Sequence, residues 1–146
     1  MLVADLVGRI EAGVSTLAGR TETAAELSEL IRRKALPQAS PFAFVLPLGL
    51  HAHGRGEAGA GAFIQAVDEA FAVILFARAS GDITGGKALP GIDALVWAVI
   101  EAICGWGPDD AIGVFHLRRG QLLSAEAGAV IYQLDFGLQQ QVRIVA

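Results

Sequence analysis

Six residues, Gly54-Arg55-Gly56-Glu57-Ala58-Gly59, spell G-x-G-x-x-G. In a dinucleotide site such glycines permit a tight turn and let a pyrophosphate approach a helix N-terminus. That chemistry requires the glycines to leave a strand directly and to open a helix. Here the strand expected before them ends five residues earlier, and the residues that follow lean to strand. Just upstream, His51 and His53 put two imidazoles on one side of an extended segment, a spacing some metal sites use. A third ligand would have to come from Glu57, Asp68 or His116, and the loop context favours solvated histidines. Asp109-Asp110 follows a helix stop and reads as turn chemistry rather than a paired-carboxylate acid–base site. Cys104 lies beside an apolar helix face with no histidine near it in sequence, which fits a small core residue better than a nucleophile. There is no glycine-flanked serine elbow. Arg118-Arg119 before Gly120 reads as a hairpin tip, either solvated or set against an acidic partner surface. No catalytic residue, cofactor or metal is expected.

The elements that would carry these residues are clearer. From Leu89 onward Ile92, Leu95, Val96, Val99, Ile100 and Ile103 recur at three- and four-residue steps, which predicts an amphipathic helix. Pro90-Gly91 should open it, with Asp93 in its first turn, and Gly105-Trp106-Gly107-Pro108 should end it. An N-terminal helix is expected over 1–17, with Leu6, Ile10, Val14 and Leu17 on its stripe. Thr23-Ala24-Ala25-Glu26 is a capping-box pattern that should start a second helix, with Leu27, Leu30 and Ile31 inward. Phe42 to Leu48 reads as a strand that ends at Pro47 or lies at a sheet edge, because proline cannot donate to a ladder. Residues 49–61 read as loop, and 62–78 as strand, most clearly after Phe71. Residues 80–86 read as a glycine-rich loop. Strands are expected over 112–117 and 121–124, joined by the turn at Arg118-Arg119-Gly120, and over 129–145. In the last strand Val130, Tyr132, Leu134, Phe136 and Leu138 share one face, while Gln133, Asp135, Gln139 and Gln141 share the other. One dry and one wet face mark an antiparallel sheet covered on one side. The order of elements predicts one α+β domain over residues 1–146, with an antiparallel or mixed sheet of about four strands and helices packed on one face.

Composition agrees with a single domain and excludes several classes. The chain has 146 residues, 53% hydrophobic and 18% charged. Ordinary domains carry about 25% charged residues, so some apolar surface is expected to be covered only in an assembly. Net charge is −4 with no basic run, which argues against tight binding to duplex nucleic acid. No signal peptide or transmembrane helix is read from the sequence, and folding in the cytoplasm is expected.

Four stretches, in order and spacing, make the chain similar to the tail terminator (tail completion) proteins of long-tailed bacteriophages. The first is the N-terminal helix followed by Thr23-Ala24-Ala25-Glu26-Leu27 and Pro41-Phe42-Ala43-Phe44-Val45-Leu46-Pro47. The second is Phe63-Ile64-Gln65-Ala66-Val67 leading to Phe71-Ala72-Val73-Ile74-Leu75-Phe76-Ala77-Arg78. Gly105-Trp106-Gly107-Pro108 is the third, and Leu117-Arg118-Arg119-Gly120-Gln121-Leu122 with the apolar strand to Phe136 is the fourth. The hairpin departs from the family pattern, which often has an aromatic and paired glycines there, and Tyr132 stands near where a tryptophan is common.

The resemblance implies a structural virion protein at the head–tail junction, made in the host cytoplasm. It implies a homohexameric ring that caps the tail tube protein, stops its polymerisation and meets the head–tail connector or neck. It implies no membrane contact and no sequence-specific nucleic-acid binding, the genome passing through the lumen. Candidate interface residues are His53, Arg55, Arg118, Arg119, Gln133 and Asp135. The alternatives are a neck or head-completion protein of similar fold and, from another class, a small nucleotide-binding enzyme built on residues 54–59.

Overall fold

A computed structural model describes residues 2–78, 88–109, 111–126 and 128–145. Helix α1 (Leu2–Gly13) and a short 3-10 turn (Ser15–Leu17) lead into a three-residue strand, β1 (Thr21–Thr23). Helix α2 (Ala24–Arg32) follows, then two long strands, β2 (Phe42–Gly59) and β3 (Ala62–Arg78). Helix α3 (Ala88–Ile103) precedes β4 (Phe115–Glu126) and β5 (Ala129–Val145). The five strands form one sheet in the order β1-β2-β3-β5-β4. β1 runs parallel to β2, and all other neighbours are antiparallel. The class is α+β, as expected, with one strand more than the sequence suggested.

Alternation along the strands builds one main core. Ala43 and Val45 of β2, Phe71, Val73 and Leu75 of β3, and Val130, Leu134, Phe136 and Leu138 of β5 all bury against the same helices. Those helices present Leu6 and Ile10 from α1, and Ile92, Leu95, Val96, Val99 and Ile103 from α3. The periodicity of α3 is therefore the one predicted, with Ile100 only partly buried. Its start is not: the helix begins at Ala88, so Pro90 and Gly91 lie inside the first turn and Asp93 beyond it. The stop at residues 105–108 holds. Gly105 adopts φ +80°, and its N–H donates to the Phe115 carbonyl at 2.9 Å while Phe115 N–H donates to the Trp106 carbonyl at 2.8 Å. α1 and α3 meet closely because a side chain at Gly13 would crowd Ala102, 2.9 Å from its β-carbon. Arg9 seals that contact, donating from Nε to the Ala102 carbonyl at 2.7 Å with its guanidinium 5.3 Å from the centre of the Trp106 ring.

Among the described residues the opposite face is covered only at one end. There Phe44 and Phe76 are buried, the Arg78 guanidinium lies over Phe76, and Arg78 reaches the Pro37 carbonyl. The rest of that face is open and carries the polar side of β5.

Besides the start of α3, and Ile31 of α2, which is 67% exposed rather than inward, three readings of the sequence need correction. Residues 49–61 are not a loop: β2 stays paired with β3 to Gly59, with register shifts between Pro47 and Gly49 and between His53 and Glu57. The strong β3 partner carries the pairing through, and the glycines fall where the ladder is irregular; Gly49, Gly54 and Gly56 all have positive φ. Pro47 does lie at a free edge, since β1 pairs only with residues 43–45. Second, Arg118-Arg119-Gly120 is not a turn. β4 runs unbroken from Phe115 to Glu126, and Ile112 to Val114 precede it. Gly120 answers a packing need, because a β-carbon there would stand 2.9 Å from the Tyr132 hydroxyl. Third, the N-terminal helix stops at Gly13; Val14 is extended, and Ser15 to Leu17 form the 3-10 turn. The predicted loop at 80–86 and Asp110 lie outside the described residues.

Beyond Pro47, Phe71 and Leu138 the strands β2, β3 and β5 run on as a three-stranded arm. β4 ends opposite Leu138 and β1 reaches only Val45. Both flanks of the arm are thus unpaired among the described residues.

Candidate functional site

The glycine motif sits in this arm, inside β2, and no helix follows it. The Phe63 ring fills the space over Gly56, and Gln65 Nε2 donates to the Gly54 carbonyl at 3.0 Å. A phosphate would meet neither a helix N-terminus nor an open glycine cradle, so the geometry a nucleotide needs is missing.

His51 and His53 share the open face of the arm, with ring centres 6.1 Å apart. Asp68 lies opposite His51 in the ladder, and its Oδ2 is 2.7 Å from His53 Nε2. The described residues contain no group of three His, Cys, Asp or Glu side chains able to hold a metal ion. Arg55 is exposed in the irregular stretch between His53 and Glu57.

The other four candidate residues come together on the middle of the open face. The register shift between Leu117 and Arg119 puts an extra residue into β4, which turns successive side chains to the same side. Arg118 lies against Gly137, its Cδ 3.1 Å from where a β-carbon would be. Arg119 Nη2 is 3.7 Å from Asp135 Oδ2. Gln133 Nε2 donates to Asp135 Oδ1 at 2.8 Å. A shallow depression lined by Leu48, Gly49, His51, Ala70 and both arginines links this cluster to the arm. Gly49 and Ala70 are its small lining residues, and Arg118, Arg119 and Asp135 its charged ones.

Among the described residues two ionisable groups depart from their ordinary behaviour. Glu26 accepts from the Thr23 hydroxyl at 2.6 Å and from the Thr23 N–H at 3.2 Å. These bonds hold its carboxyl below the usual glutamate range. Burial pushes the Cys104 thiol up, which suits a packing role and not a nucleophile.

The sequence missed the flanks of the sheet. Leu48 and Leu50 on β2, Leu122 and Leu123 on β4, and Ile144 and Val145 on β5 are large apolar side chains left exposed. The Leu-x-Leu alternation after Pro47 was the available signal for a continuing strand. Glu22 also escaped notice, because a strand of three residues is too short to show a period.

A family model described as Phage tail terminator protein matches residues 2–145. No curated protein matches the chain.

Proposed function

The chain belongs to the phage tail terminator family, and from that membership we propose that it acts as a closed six-membered ring seated on the last layer of tail-tube subunits. As a member of that family it is a virion protein. In this reading the ring ends tube polymerisation and offers its far face to the neck of the head. It does so by shape, with no bond made or broken. Termination requires only that one ring face complements the tube end and that the other face does not reproduce it.

The observation that carries the reading is the pair of open flanks. Of the exposed large apolar side chains, Leu48 and Leu50 line the β1–β2 flank, and Leu122, Leu123, Ile144 and Val145 line the β4–β5 flank. Exposed strand edges with apolar side chains invite association. The two flanks differ in sequence and length, so their contact is head-to-tail, and a head-to-tail contact closes into a ring when its rotation divides a full turn.

Light scattering on the purified chain, alone and with tail-tube subunits, tests the proposal. A particle of six copies, formed alone or on the tube, is the expected result. A monomer at all concentrations that ignores tubes would overturn it.

A further inference from the structure

The two edge strands carry opposite charge on the same face of the sheet. On β1, Thr21 is buried and its hydroxyl donates to the Leu17 carbonyl, toward the helices. Glu22, the next residue, therefore points to the open face, opposite Phe44 in the ladder. On β4, His116, Arg118 and Arg119 occupy that face, the first two packed over Gly137. Among the described residues neither Glu22 nor Arg118 takes part in an ion pair, and Arg119 is 64% exposed beside Asp135. Strand directions also agree. β4 runs against β5, which runs with β2 and β1, so a copy rotated about an axis along the strands would set its β1 antiparallel to its neighbour's β4.

The geometry points to one specific contact: the β1–β2 flank of one copy docks on the β4–β5 flank of the next, keyed by Glu22 against Arg118 and Arg119. This rests on the ring reading and names its interface. The apolar part of the contact sets Leu48 near Leu117 of the neighbouring copy, which stands at the same level of the sheet; both are exposed in the single chain. The charged part fixes which flank meets which. Like flanks would bring arginine to arginine or glutamate to glutamate, and such juxtaposition is unfavourable. A second copy of this chain is the occupant the charges fit, because one flank supplies the complement of the other.

Charge reversal tests the contact separately from the ring. Arg118→Glu with Arg119→Glu makes the β4 flank acidic. Glu22→Arg makes the β1 flank basic. Each variant should raise the concentration for half-assembly about tenfold or more, with an unchanged far-ultraviolet circular dichroism spectrum, since close interfacial charge pairs couple by about 1.5 kcal/mol or more. Mixing the two variants should restore the ring, because a basic β1 flank then meets an acidic β4 flank and copies alternate around an even number. Reversed variants that assemble like the parent would overturn the contact and leave the ring standing. A parent that never assembles would overturn both. Arg119→Lys supplies a milder check. A zero-length carbodiimide should join position 119 of one copy to Glu22 of the next in assembled rings, and absence of that crosslinked peptide would also overturn the contact.

Discussion

Phe63 and Gly56 occupy each other's space: a β-carbon on Gly56 would stand 2.7 Å from Cζ of the Phe63 ring. Gly56 also has φ +78°. The glycine that looked like part of a phosphate loop is thus where the arm bends under an aromatic side chain. Gly56→Ala should destabilise the arm by roughly 1–3 kcal/mol, from backbone strain plus crowding. Amide exchange over residues 50–65 should accelerate while α3 amides stay protected. Unchanged exchange would show that the bend is not needed.

The β2–β3 turn should be improvable. Ala60 and Gly61 both have positive φ, +49° and +79°, between the paired residues Gly59 and Ala62. That conformation favours Asn-Gly. Ala60→Asn should stabilise the chain by about 0.5 kcal/mol, read as a higher urea midpoint. A lower midpoint would contradict the turn geometry.

Acid should loosen the start of α2. The folded Glu26 carboxyl is held below its ordinary range, so ionised Glu26 favours the folded state. The contribution is present above the ordinary glutamate range and disappears as pH falls through the depressed folded value. Comparing Glu26→Gln with the parent, the melting-temperature gap should be largest near neutrality and close on acidification. A gap independent of pH would remove the capping carboxylate from the account.

Phe115 is the strongest single anchor of the β4 flank. It is 1% exposed, stacked on Trp106 at 5.7 Å and edge-on to Phe71 at 5.9 Å. Phe115→Ala should cost about 3–5 kcal/mol. Urea unfolding should register that loss, whereas a loss under 1 kcal/mol would mean the site collapses around the gap.

What could be read from the chain beforehand follows from where period and packing agree. α3 and β5 were legible because α3 keeps one apolar face throughout and β5 keeps one from Val130 to Leu138, and tertiary contact only confirmed the period. The Thr23–Glu26 cap was legible because its chemistry is local. Residues 49–59 misled because glycines usually end strands, yet here a long β3 partner holds the ladder and the glycines absorb its irregularities. Gly120 misled for the opposite reason: it was read as a turn when its role is to admit Tyr132. The candidate residues fared unevenly. Arg118, Arg119, Gln133 and Asp135 converge because the register shift and the alternation put them on one face, while His53 and Arg55 sit apart on the arm. Glu22 could not be seen, since only the three-dimensional pairing of Thr21–Thr23 with residues 43–45 makes that segment an edge.

The central claim is that this chain stops a growing cylinder. Tail-tube subunits should be polymerised with and without it, and tube lengths measured by electron microscopy. The account predicts tubes that cease to lengthen once the chain is added, each bearing a ring at one end. Tubes that continue to grow at the same rate, with bare ends, would contradict it.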